Sequence, residues 1–339
     1  MPSGQRHTKF NHQRSKTKLI MTNGKKKTSA KALRKARTKT VKVRSAPKAP
    51  DLSSHEETIV GLTDPFSEFS SDTRYPDQGS GRTLVTQQRY LCNPTANASG
   101  IVAIAFNPKP SWSGITGSTY AGNVVTWTAN YNQGDFSTVQ DLVNNYGQSY
   151  RICSMGVRIA NTLSATNSSG YLVIAKGGTV PIGAGLTTTF NPVNFASYDL
   201  HPVAHGAEWH ATLHPRSAQA YDPDLVATGV SNTYGDDSWE TLYIFATGLP
   251  ASSTPFAIEV VINIEYTCKE DAPISGLARQ SPMMDVSIQT AVNHVQNSLP
   301  NSHVNSKARV SALIKSEAKK ALIKHVLPFA ARKLKQAIL

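Results

Sequence analysis

Residues 149–162 read Ser149-Tyr150-Arg151-Ile152-Cys153-Ser154-Met155-Gly156-Val157-Arg158-Ile159-Ala160-Asn161-Thr162, and after Asn167-Ser168-Ser169-Gly170 the chain resumes with Tyr171-Leu172-Val173-Ile174-Ala175. The cores of both stretches, Ile152–Ala160 and Tyr171–Ala175, are rich in residues that suit a pleated, buried surface. The Ser-Ser-Gly between them is turn chemistry. Strand–turn–strand is the natural reading, and it extends in both directions. Upstream lie Arg82–Leu91, Ile101–Phe106 and Val124–Thr128; downstream lie 209–213, Trp239–Thr247 and Phe256–Tyr266. Turns are marked by Asn97-Ala98-Ser99-Gly100, Gly183-Ala184-Gly185 and Gly248-Leu249-Pro250. In the segment 209–213, Trp209, Ala211 and Leu213 share one face and His210 and Thr212 the other, which predicts a solvated polar face or a subunit contact at His210. One helix is predicted near Asp135–Asn145, capped by Asp135, with Val139 and Leu142 on its apolar side.

The count is about eight short strands joined by long, uneven connections. Such connections fit an all-β, eight-stranded antiparallel jelly-roll sandwich better than an up-and-down barrel, because a double-sheet roll needs long crossings. Strands do not alternate with helices, which excludes Rossmann and TIM architectures.

Charge divides the chain of 339 residues into three parts. Residues 1–50 carry 16 Lys+Arg and no acid, residues 51–300 carry 10 Lys+Arg against 21 acids, and residues 301–339 carry 9 Lys+Arg and one acid, Glu317. The first part has few large apolar residues and no period, so it cannot offset its ordering entropy and is expected to be disordered alone. Its like charges call for a polyanion, whose neutralisation releases counterions and gives tight, salt-dependent, sequence-blind binding. The nucleic-acid-binding residues are Arg14, Lys16, Lys18, Lys25, Lys26, Lys27, Lys31, Arg34, Lys35, Arg37, Lys39, Lys42 and Arg44. A solubilising tail or an import signal is the plainer alternative, but 50 residues without an acid exceed what an import signal needs.

The expected organisation is a disordered basic arm (1–50), a linker or inner-shell segment (51–80), the jelly roll (81–272), a linker (273–305) and a basic amphipathic helical segment (306–339). In that last segment Val310, Leu313, Ile314, Ala318 and Ala321 share a face, and Pro328 should kink or end the helix. Three roles stay open for it: packing under the main body with contacts to RNA, membrane activity as a cationic amphipathic helix, or both in turn. No secretory signal or run of 18 apolar residues is visible, and Cys92, Cys153 and Cys268 are read as reduced thiols.

Two stretches carry a family resemblance: Asp64-Pro65-Phe66-Ser67-Glu68-Phe69 followed by Arg74-Tyr75-Pro76-Asp77, and Ser149–Thr162 followed by Asn167–Gly170. Together, in the order basic arm, sandwich, basic C-terminus, they resemble the coat proteins of small icosahedral RNA viruses, in the nodavirus-like and tombusvirus-like group, over roughly residues 60–275. The resemblance implies a subunit that self-associates into a T=3 icosahedral shell, packages genomic RNA through its arm, and meets a host membrane during entry. The segment after Ala272 reads helical, so the projecting second β domain of tombusvirus-like shells is not expected there. The nodavirus group also implies a single self-cleavage after an asparagine, promoted by an acidic side chain. The corresponding acid here is Asp64 and the candidate bonds follow Asn301 and Asn305, although serine rather than alanine comes next. A turn residue before proline is the plainer account of Asp64.

Other constellations weigh less. His201, His205, His210 and His214 lack a zinc pattern. Asp222-Pro223-Asp224 and Asp236-Asp237 are hard-oxygen pairs of the kind that clamp Ca2+ between shell subunits, with loop capping as the plainer account. Asn97-Ala98-Ser99 and Asn167-Ser168-Ser169 match glycosylation sequons but read as turns. No catalytic triad, Walker loop or dinucleotide fingerprint appears, so a turnover enzyme is not expected. The rival from another class is a cellular nucleic-acid-binding protein whose jelly roll binds a glycan.

Overall fold

The computed structural model describes residues 54–76, 81–108, 114–127, 145–177, 186–225, 238–281, 286–299, 303–304, 307–326 and 328. The strands are β1 (Arg82–Cys92), β2 (Val102–Phe106), β3 (Gly114–Ala121), β4 (Val124–Trp127), β5 (Gly147–Asn161), β6 (Tyr171–Gly177), β7 (Thr187–Thr189), β8 (Ser197–Pro202), β9 (Glu208–Leu213), β10 (Asp224–Leu225), β11 (Thr241–Thr247), β12 (Phe256–Cys268), β13 (Arg279–Gln280) and β14 (His303–Val304). One sheet runs β13-β1-β12-β5-β9-β14, with β10 also on β5; the other runs β7-β4-β3-β2-β11-β6-β8.

Stripped of its additions, the first sheet is β1-β12-β5-β9 and the second β2-β11-β6-β8. Ranked by chain order, those eight strands read 1-8-3-6 and 2-7-4-5. The pairs 1–8, 2–7, 3–6 and 4–5 are the rungs of one long hairpin, folded back between β6 and β8 and rolled so that alternate rungs fall in opposite sheets. That is the jelly roll.

Period-two sequence puts each strand's apolar residues where the roll needs them. In the second sheet Ile104, Ile174 and Ile244 lie in register and face the first sheet. The first sheet answers with Met155, Val157 and Ile159 opposite Ile262, Val260 and Ile258. The second sheet's other face is also buried. Tyr243 and Phe245 of β11 carry a second cluster with Val125, Trp127 and Phe190, the Phe190 and Phe245 rings stacking at 4.6 Å. Strands buried on both faces lose polar alternation, which is why β11 reads as a continuous apolar run.

At one end the turns knit together. Asn97 Oδ1 accepts from the Ser99 and Ile101 amides at 2.9 Å, and the Ser169 hydroxyl donates to Gly248 O at 2.9 Å. Gly170 has φ +89°, and a Cβ there would lie 2.1 Å from Thr247 O, so only glycine fits.

Three helices form a layer on the outer face of the first sheet: α1 (Ser54–Thr63), α2 (Val286–Ser298) and α3 (Lys307–Ala321), the last running into a π turn, Leu322–Val326. Their shared core includes Ile59, Val60, Leu62, Ile288, Val292, Val295, Val310, Ile314 and Ala318.

The differences from expectation are specific. Segment 51–80 holds α1, and 273–305 holds α2 and β14 rather than a bare linker, because Ile288, Val292 and Val295 form a buried stripe. Val124–Trp127 is a strand but flanks the roll, whereas β8, a true roll strand, is absent from the sequence expectation. Leu313 leaves the buried stripe and is 38% exposed. His210 is 1% exposed rather than solvated, because Phe66 meets its ring edge-on at 5.8 Å. Residues 135–144 of the predicted helix and the turn at 183–185 lie outside the described residues.

Candidate functional site

The two stretches that carry the family resemblance touch one another. Pro65 ends α1, because the residue before a proline is pushed out of helical geometry. The chain then lies flat on β5 at Gly156, where a Cβ would come 2.5 Å from Pro65 Cγ and 2.7 Å from Phe66 Cε2. Pro65 O accepts from Gln87 Nε2 at 3.2 Å and Asn263 Nδ2 at 3.4 Å, and Asn263 Nδ2 also donates to Ser154 Oγ at 2.8 Å. A little further on, Tyr75 O accepts from Arg151 Nη2 at 3.0 Å, and the Arg151 guanidinium carbon sits 5.3 Å from the Tyr75 ring centre.

Arg151 also pairs with Glu265 at 2.8 Å, both side chains being at most 5% exposed. Glu265 accepts besides from Tyr75 N at 2.9 Å, Thr83 Oγ1 at 2.6 Å and Ser281 Oγ at 2.6 Å. A buried pair satisfied to this extent fixes geometry more than it adds stability. It ties the segment after α1, strands β1, β5 and β12, and the approach to α2 at one point. Burial, reinforced by the Glu265 charge, pushes the neighbouring Cys153 thiol well above the usual range, so it is inert.

Asp64 is 1% exposed. Its Oδ1 accepts from Phe66 N at 3.1 Å, the turn expected before a proline, and its Oδ2 accepts from Ser311 Oγ of α3 at 2.6 Å. β14 pairs His303 with His210 and Val304 with Trp209 on the edge of β9, and the His210 ring packs on Phe66. Val304 is thus held on the edge of β9, and Ser311, six residues after Asn305, is bonded to Asp64. Asn301 and Asn305 lie outside the described residues.

On α3, Lys319 reaches Glu56 at 3.9 Å, and burial raises the Glu56 carboxyl while Lys319 counters it. Lys320 pairs with Glu317 at 2.7 Å, and Lys315 lies 5.6 Å over the Phe69 ring. The arm cations from Arg14 to Arg44 lie outside the described residues.

The histidines do not converge. His205 Nδ1 is 2.9 Å from Leu163 O, and His214 Nε2 is 3.0 Å from Thr212 Oγ1. Among the described residues no three His, Cys, Asp or Glu side chains come together as a metal site. Asp222 caps the short turn Ala218–Tyr221 and is exposed, the Asp224 backbone pairs with Tyr150, and Asp236 and Asp237 lie outside the described residues. Cys92, Cys153 and Cys268 are free thiols.

One buried charge escaped the sequence reading. Lys176, 1% exposed, meets Glu240 at 3.3 Å where β6 runs beside the start of its sheet neighbour β11. Burial lowers its pKa, Glu240 opposing. Its signal in the sequence was a lysine closing an apolar strand.

No family model matches the chain, and no curated protein does. Solved structures do. A chain from the structure of infectious bursal disease virus, Gx strain, superposes with a TM-score of 0.52 at 7% identity over 75% of this chain and 97% of that one. The Gt strain gives 0.51 at 8% identity over 75% and 98%. Turnip yellow mosaic virus gives 0.32 at 13% identity over 59% and 90%, too loose to argue from. At these identities the likeness is one of fold, and it spans nearly the whole of the compared subunit: the chain has the jelly-roll fold found in that virus particle.

Proposed function

We propose that this protein is a viral coat subunit that self-associates into an icosahedral shell, T=3 on the sequence resemblance, and packages genomic RNA with its arm. The observation that carries the reading is the rolled-hairpin strand order 1-8-3-6 and 2-7-4-5, matched over 97% of a subunit from a virus particle. The charge partition supports the RNA partner: a polycation from Arg14 to Arg44 precedes a body with twice as many acids as bases, which leaves the arm without competition for the polyanion. The chain expressed alone should give uniform spherical particles containing RNA under negative stain. Monomers or dimers with affinity for a glycan would overturn the reading.

Self-cleavage is supported by a specific observation, the bond from Ser311, six residues after Asn305, to the buried Asp64. The asparagine side-chain amide nitrogen attacks its own backbone carbonyl carbon and closes a cyclic imide as the peptide C–N bond breaks; a buried carboxyl carries the proton from the amide to the departing amine, and water then opens the imide to leave a free carboxyl terminus. In this reading the bond is Asn305–Ser306, Asp64 is the proton relay, and the freed segment is the basic helix. Detached from α1 and α2, that helix would present its apolar stripe to a host membrane. Mass spectrometry of mature particles should find chains ending at Asn305, and none in Asp64→Asn particles. Only full-length chain in mature wild-type particles would overturn it.

A further inference from the structure

Between α2 and the segment His214–Ser217 lies a cavity of about 270 Å3. From α2, Gln289, Asn293 and Asn297 line it, a row of side-chain amides at i, i+4 and i+8. A helix rises ~1.5 Å per residue, so the three stand about 6 Å apart along one face. Arg216 faces them across the cavity. Gln289 is anchored on the Tyr75 hydroxyl at 3.0 Å. The Asn293, Asn297 and Arg216 side chains make no hydrogen bond or ion pair with another described residue, so their donors and acceptors are available.

The sign of the ligand follows from what is missing around it. The body, residues 51–300, has 21 acids against 10 bases. Yet among the described residues no carboxylate lines this cavity, where the Arg216 guanidinium stands with His214 beside it, and α2 has no acidic residue anywhere in its 13 positions. The fixed positive charge of Arg216 disfavours a cation and draws an anion. A single small anion would need only the arginine. The amide row adds paired donors and acceptors along an extended line, and these match the edges of nucleobases.

We propose that this cavity is a second RNA-binding site, holding one segment of single-stranded RNA with Arg216 on a phosphate and Asn293 and Asn297 on base or sugar edges. It rests on the packaging reading and deepens it. The arm binds by charge alone, whereas this site binds by geometry, at a fixed place on the helical layer that the arm joins at α1. Tyr221, already stacked on Tyr75 at 3.9 Å, is not free to stack a base, so recognition here is by hydrogen bonding.

The test is arginine modification by phenylglyoxal, read by peptide mass spectrometry, on three samples of the full chain: particles filled with single-stranded RNA, the same particles emptied of RNA, and unassembled subunits. Arg216 should react at least tenfold more slowly in the filled particles than in the other two. Equal protection in filled and empty particles would mean that a neighbouring copy covers it, and equal reactivity in all three would mean that nothing does; either result overturns the site. Arm residues Arg34 and Arg37 are read in the same digest. If they are protected by RNA while Arg216 is not, this site alone fails; if none is protected, the packaging reading fails with it.

Discussion

The Ser311 hydroxyl donates to Asp64 Oδ2 at 2.6 Å, joining residues 247 positions apart in the chain. The bond latches α3 onto the turn that ends α1, and Asp64 is buried, so losing it removes one partner of a desolvated carboxyl. A hydrogen bond to a charged partner is worth ~1.5–3 kcal/mol. Ser311→Ala should therefore loosen α3 while the sandwich stays folded, seen as faster tryptic cleavage after Lys315 and Lys319 at unchanged β-sheet signal.

The contact of Pro65 with Gly156 predicts a sharp steric effect. Gly156→Ala places a methyl 2.5 Å from Pro65 Cγ, with a sheet on one side and a proline turn on the other. Overpacking of this kind costs ~1–3 kcal/mol. Gly276, with nothing within 4 Å of its built Cβ, is the matched control, and Gly276→Ala should leave the denaturant midpoint within error.

Lys176 and Glu240 should respond unequally. Glu240 is 23% exposed and also accepts from His214 N at 3.0 Å, so it keeps a partner and some water when the lysine is removed. Lys176 has almost no water and, besides Glu240, only the charge of Asp199. Breaking a buried pair from the exposed side strands the buried charge at ~3–5 kcal/mol, so Glu240→Gln should destabilise clearly more than Lys176→Met. Equal losses in denaturant titration would contradict the assignment.

His325, at the end of the π turn, faces His294 of α2 with ring centres 5.1 Å apart. Burial, then His294 and Lys324, hold its pKa below the usual histidine value. The folded state thus prefers the neutral ring. Its contribution is complete above the unfolded value of ~6.5 and is lost as pH falls through that value toward the depressed folded one. The packing of the π turn on α2 should weaken on mild acidification, measured by an environment-sensitive label at residue 323, and His325→Phe should flatten the response.

Much of the roll was legible because its strands are short, β-branched and separated by Gly- and Asn-based turns, as at Asn97–Gly100 and Ser168–Gly170. β8 escaped because Ser197-Tyr198-Asp199-Leu200-His201-Pro202 is an edge strand with partly exposed residues, so no buried face marks it. α2 was legible only as helical character after Ala272, without bounds, because its polar face is made of amides rather than charges. The burial of His210 was invisible for a different reason: its cover, Phe66, comes from a segment 144 residues earlier, and local alternation carries no record of that. The nearness of Asp64 to the C-terminal helix was implied by the resemblance but could not be read from spacing.

The central claim is that the body builds a closed container and the arm fills it. Charge-detection mass spectrometry of particles from the full chain and from a chain lacking residues 1–50 measures both at once. The account predicts discrete masses equal to a closed shell of subunits plus RNA for the full chain, with the RNA mass lost or sharply reduced when the arm is removed. Armless particles carrying the same RNA mass, or a full chain that forms no discrete assembly with or without added RNA, would contradict it.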